Sequence, residues 1–277
     1  MEATVTTPDL LRVVTTAKWL AEDLATAGTI PVILDYGLEL PASTEGTAWW
    51  CSGRHAARLM ASGVNPGFLS PGPTFTADLP WTARRRKVWA GRLKDLPMAI
   101  GPSFCKAAEA KLPELPAAEY AYSGLFEVAA RRAKLDADDY VQMSGLRDLK
   151  REYRCFVTRG EVTAISPYLI DGVTWESLDP EATPGIAEAK YFASVVVKML
   201  GTRQPPGYVL DVGVSSDGRF MVVEANASWS SNPYHADPAG VLESVLASQS
   251  TDPTHERWRW EPIARLRNHA QPLPGNS

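Results

Sequence analysis

Apolar residues recur at helical spacing close to the start of the chain. Leu10, Leu11, Val14, Ala17, Leu20, Ala21 and Leu24 follow Thr7-Pro8-Asp9, a capping side chain with proline in the first turn, and Gly28 closes the segment. This spacing predicts a single helix. Ile30 to Tyr36 is apolar and β-branched and reads as a buried strand bounded by Gly37. Turn formers then dominate (Pro66, Gly67, Pro71, Gly72, Pro73, Pro80), which places a first boundary near residue 83.

Beyond it, Arg84, Arg85, Arg86 and Lys87 open a basic helix candidate running toward Leu96, with the charges on a solvated face. Met98 to Lys106 and Asp139 to Ser144 read as strands, separated by a loop with Pro113 and Pro116 and a short helix around Phe126 to Ala133. Two further strand-like runs, Glu152 to Val157 and Glu161 to Tyr168, flank Thr158-Arg159-Gly160 as a hairpin. Residues 185–200 are helical in pattern and end at Gly201, with Pro205-Pro206 beyond. The tail after about Asn268 is expected to fray.

The most informative stretch is a second hairpin. Tyr208 to Gly213 and Arg219 to Ala227 flank Asp217-Gly218, a two-residue turn signal. That turn sets Asp211 directly opposite Glu224, with Asn226 on the same face. Like charges paired across strands repel unless something positive lies between them. Two carboxylates and an amide oxygen suit Mg²⁺. The alternative is a solvent-facing polar sheet, against which Val209, Val222 and Val223 place apolar residues on both faces. A Mg²⁺ held by so few protein groups points to phosphate oxygens as its remaining ligands, and so to a nucleotide.

Composition narrows the class. With 277 residues, 45% hydrophobic, 22% charged and a net charge of −4, the chain is neither disordered nor a dedicated nucleic-acid binder, which carries a basic excess. No cysteine spacing matches a zinc site, and Cys51, Cys105 and Cys155 read as free thiols in a reducing compartment. Neither a secretion signal nor a membrane-spanning run is apparent, so a cytoplasmic location is expected. The net charge hides a division. Residues 84–160 carry 16 Lys plus Arg against 10 acids and residues 161–277 carry 8 against 14, as a cleft for a Mg²⁺-bound nucleotide requires.

The chain resembles the ATP-grasp superfamily, in a compact bacterial and phage-type branch. The resemblance rests on Phe104-Cys105-Lys106, on Glu152-Tyr153-Arg154-Cys155-Phe156-Val157, and on Asp211 with Glu224-Ala225-Asn226 through Ser230. It implies an α+β fold in which two α/β subdomains clasp ATP, behind a small N-terminal α/β subdomain. The expected division is 1–83, 84–144 for the central nucleotide-binding part, 145–268 for the part with the metal site, and a flexible 269–277. No quoted motif covers residues 1–83.

The resemblance also implies roles. Lys106, with Lys111 as a second candidate, would bind nucleotide phosphates. Gln142, Met143 and Ser144 would border adenine, and Asp211, Glu224 and Asn226 would hold Mg²⁺. Arg154 is either the partner of a neighbouring acid or a fork for the transferred phosphoryl or the acceptor, with Glu152 orienting it. Ser230, Ser231, Asn232 and Tyr234 would position the acceptor substrate. Trp229 reads as a core anchor, and His235 as either a proton acceptor near the site or a structural residue.

The implied reaction is an ADP-forming ligation through an acyl-phosphate, joining a small-molecule or peptide carboxylate to an amine or thiol, with no nucleic-acid or membrane partner. A small-molecule kinase on the same scaffold and a nucleotide-binding module without turnover are the alternatives. The substrates' identity and the oligomeric state are not written in the sequence.

Overall fold

The computed structural model describes residues 8–179, 181 and 184–275. The first unit is a parallel sheet of β1 (Leu10–Val14), β2 (Val32–Asp35) and β3 (Thr47–Trp50), with β1 in the centre, plus α1 (Lys18–Ala25) and α2 (Gly53–Ala61). The expected helix from Leu10 is therefore wrong in its first half, and its Thr7 cap lies outside the described residues. A central parallel strand is apolar along its length, so the LLRVV run satisfies helical spacing as well as strand alternation. Leu11 and Val13 are fully buried, and flanking parallel neighbours decide for the strand. Two short helices follow, α3 (Phe75–Asp78) and α4 (Trp81–Arg84).

The middle unit is an antiparallel sheet, not a basic helix followed by strands. Arg85 adopts φ +45° and stops α4, and Val88-Trp89, good strand formers, begin β4 (Val88–Arg92). With β5 (Ser103–Ala107), β6 (Ala118–Tyr120) and β7 (Tyr140–Ser144) it forms the order β4-β7-β5-β6. Helix α5 (Ser123–Arg132) covers one face through Phe126 and Ala130, against Cys105 and Val141. The opposite face is left to the cleft.

The third unit is built on β8 (Leu149–Thr158), β9 (Glu161–Ile170), β10 (Val173–Thr174), β11 (Gly207–Ser215) and β12 (Phe220–Asn226), in the order β10-β9-β8-β11-β12. Arg159 and Gly160, both at positive φ, make the tight β8–β9 turn. Helix α6 (Ile186–Leu200) buries one face against Tyr153, Cys155, Leu210 and Val212. Helix α7 (Pro238–Ala247) covers part of the other face through Val241 and Val245, where Phe156 and Val209 meet Leu11 and Val13 of the first sheet. The rest of that face, carrying Arg154 and Asp211, opens toward the small sheet.

Two boundaries differ from the sequence reading. Phe75, Leu79 and Ala83 pack into the core under α6, so residues 75–83 join the third unit rather than the first. The tail also does not fray at Asn268. After α8 (Ala264–His269), Leu273 is buried beside Trp49 and Trp260, its N–H donates to Ser62 Oγ at 2.8 Å, and Leu40 N–H donates to Pro274 O at 2.8 Å. Among the described residues no helix is long and apolar enough to cross a membrane.

Candidate active site

Asp211 does lie opposite Glu224, but two deviations from the expected hairpin cancel to put it there. Ser215 N–H donates to Arg219 O at 3.1 Å, so the loop is three residues long, with Gly218 at φ +76°. The ladder then pairs Val214 with Phe220 and Val212 with Val222. At this point the register shifts by one, Val223 bulges out, and Asp211 pairs with Glu224 and Val209 with Asn226. The bulge also keeps both Val222 and Ala225 on the α6 side, three positions apart, which strict alternation forbids.

Asp211 is fully buried and pairs across the next ladder with Arg154. Arg154 donates from Nε to Oδ1 at 2.9 Å and from Nη2 to Oδ2 at 2.7 Å, and from Nη1 to the Asn232 carbonyl at 3.2 Å. The rings of Tyr234 and Tyr168 lie 4.9 and 5.6 Å from its guanidinium carbon. Of the two roles left open for Arg154, the structure shows the ion pair. Glu152 does not orient it. Its carboxylate accepts from Tyr168 Oη at 2.6 Å, and burial raises its pKa.

Lys106 lies on β5 opposite Gln142 of β7, which places both side chains on the cleft face. Its ammonium crosses to the Glu224 carboxylate. Asn226 Nδ2 donates to Glu224 Oε1 at 2.8 Å and lies 3.4 Å from Asp211 Oδ2. Burial acts to raise Glu224, yet the Lys106 charge and the hydrogen bonds from Lys106 and Asn226 hold it far below the ordinary carboxylate range. At Asp211 burial prevails over Arg154 and the shift is upward. The positive charge that two facing carboxylates demand is thus supplied by two side chains, one from each sheet.

The remaining sequence candidates divide. Gln142 and Ser144 are buried at the cleft, whereas Met143 turns away to pack with Cys105. Lys111 is exposed, with its charge felt at Asp211. Ser231 is buried, its Oγ donating to Ala227 O at 2.8 Å and its carbonyl accepting from Trp50 Nε1 at 3.1 Å. Asn232 Oδ1 accepts from the N–H of Tyr234, which sits at φ +56°, while Ser230 ends a single turn at the cleft edge. His235 is held at the Trp175 carbonyl at 3.1 Å, apart from the carboxylates. Trp229 is a core anchor, stacked on Phe68 at 4.2 Å with its indole N–H on the Leu69 carbonyl.

Sequence reasoning missed Arg86. Assigned to a solvated helix face, it is buried, and its two Nη groups donate to the carbonyls of Val222 and Val223. Burial lowers its pKa to about 10, with Glu224 pulling upward. The four-residue basic run was its only signal, and nothing in that run distinguishes Arg86 from its neighbours.

No three His, Cys, Asp or Glu residues among the described residues make a metal cluster. The donor set here is two carboxylates and an amide. It fits Mg²⁺ in kind, since all are hard oxygen donors once the Asn226 amide turns over, and Asn226 already reaches both carboxylates.

Residues 84–244, more than half of the chain, match the model of an ATP-grasp domain, the second family of its clade. No curated protein matches the chain. Among solved structures, the D-cycloserine synthetase DcsG is 17% identical, with 90% of this chain and 100% of that one covered and a TM-score of 0.50. The D-alanine–D-alanine ligase from Bacillus anthracis complexed with ATP is 10% identical over 86% and 97% of the two chains, with a TM-score of 0.49. The RimK domain ATP-grasp protein from Sphaerobacter thermophilus is 17% identical over 86% and 99%, with a TM-score of 0.47.

Proposed function

Since this chain belongs to the ATP-grasp family, we propose that it is an ATP-dependent, ADP-forming ligase that joins a carboxylate to an amine or thiol through an acyl-phosphate. One observation carries the reading: Lys106 of one sheet meets Asp211, Glu224 and Asn226 of the other across an open cleft. The D-cycloserine synthetase DcsG is built on the same fold.

Asp211, Glu224 and Asn226 would hold Mg²⁺, which when bound supplies charge neutralisation at the β- and γ-phosphates. Lys106, exchanging Glu224 for phosphate, places a compact positive charge at the leaving ADP. Arg154 keeps Asp211 ionised and fixed in orientation. Gln142 and Ser144 border the nucleotide, and Met143 contributes through its backbone. A substrate carboxylate oxygen attacks the γ-phosphorus and ADP leaves. The amine or thiol then attacks the acyl carbon, phosphate departs with that oxygen, and the nucleophile's proton is lost. The loop carrying Ser230, Ser231, Asn232 and Tyr234 lines the acceptor side. The N-terminal unit closes that side through Trp50, which holds the Ser231 carbonyl.

The test is product analysis with pooled amino acids and peptides. A ligase yields ADP, phosphate and a condensed product only with both substrates present. A phosphorylated product without phosphate release would make it a kinase, and AMP with pyrophosphate would overturn the reading.

A further inference from the structure

The register at the site depends on a one-residue bulge, and the bulge depends on an outside donor. Ahead of it the three-residue loop pairs Val212 with Val222, a ladder that left alone would put Val223 opposite Asp211. The carbonyls of Val222 and Val223, on either side of the shift, receive the two Nη groups of Arg86. Arg86 is 7% exposed and lies two residues before β4, in the sheet that carries Lys106. One side chain thus ties the Lys106 sheet to the strand segment that presents Glu224.

We infer that Arg86 is a positioning residue: it clamps the Val223 bulge and so holds Glu224 opposite Asp211 and within reach of Lys106. The inference rests on the proposed Mg·ATP site for its consequence, but not for its structural content. A guanidinium suits the task because its fixed fork spans two adjacent carbonyls. Lysine keeps the charge but has one nitrogen, which cannot replace both donors at the same separation. Removing the fork leaves two buried acceptors unpaired next to the metal-site carboxylate.

The test uses Arg86→Lys and Arg86→Met in the full chain, with two readouts. Amide hydrogen exchange in the ligand-free protein should lose protection over residues 222–226 by about tenfold or more, with α6 unchanged. Affinity for a non-hydrolysable ATP analogue should fall by about tenfold or more with Mg²⁺ present but stay within about threefold without it. Wild-type protection over 222–226 in either folded variant would overturn the clamp, and lost protection with an unchanged Mg²⁺ response would overturn its role in positioning.

Deleting Val223 supplies a control, because it removes the bulge yet leaves Glu224 opposite Asp211. In that background Arg86→Met should cost no further Mg²⁺-dependent affinity, and a full-sized loss would show that Arg86 acts elsewhere. Should Arg86→Met alone not fold, Arg86→Lys and the deletion variant decide. If the wild type binds no nucleotide, the ligase reading falls, while the exchange readout still judges the clamp.

Discussion

Arg154 grips both carboxylate oxygens of Asp211, at 2.9 and 2.7 Å, with the Arg154 side chain 3% exposed and that of Asp211 fully buried. Breaking one half of such a pair strands the other charge in the interior. Asp211→Ala should therefore cost about 3–5 kcal/mol of stability in addition to any loss of turnover. Urea denaturation measures it. A variant as stable as wild type would mean that Arg154 finds other partners.

Lys106 and Glu224 make a pH-dependent contribution whose sign is fixed by the depressed Glu224 carboxyl. A carboxyl lowered on folding contributes stability above about pH 4.3, and that contribution drains away as pH falls toward the folded value. In Lys106→Met the opposing effect of burial is left unbalanced and the carboxyl rises. The stability gap between wild type and Lys106→Met should be widest near neutrality and narrow in acid. Denaturation curves between about pH 3 and 7 follow it; a gap constant with pH would exclude the coupling.

Glu152 hydrogen-bonds Tyr168 rather than Arg154. Glu152→Gln should leave the Arg154–Asp211 pair and nucleotide affinity within about threefold of wild type. Loss of nucleotide binding comparable to that of a Glu224 variant would return Glu152 to the nucleotide site.

Trp229 fills the core beneath the Ser230–Tyr234 loop, between Phe68 and Trp260. Trp229→Ala should lower stability by about 3–5 kcal/mol. Thermal melting checks this, and a variant that loses activity at an unchanged midpoint would instead make Trp229 a wall of the substrate pocket.

The sequence shows the fold best where period and turn chemistry agree. Helix α6, between Gly185 and Gly201, and the β8–β9 hairpin around Arg159-Gly160 are plain from spacing alone. Leu10–Val14 is not, because a buried parallel strand and a helical face share the same apolar run. The pairing of Asp211 with Glu224 is legible for an incomplete reason: Asp217-Gly218 suggests a two-residue turn, and the true three-residue loop is offset by the Val223 bulge. Nothing local marks that bulge, since its donor, Arg86, is 136 residues from Val222. Leu273 escapes notice similarly, its burial being set by Trp49 and Trp260 far away in sequence.

How the Asp211–Glu224–Asn226 hairpin treats Mg²⁺ is the most direct test of the proposed site. Calorimetric titration of a non-hydrolysable ATP analogue, with and without Mg²⁺, into wild type and Glu224→Gln decides it. Wild type should bind about tenfold or more tightly with Mg²⁺, and Glu224→Gln should lose that enhancement while remaining folded. An enhancement that survives in Glu224→Gln, or a wild type that binds no nucleotide, would contradict the site.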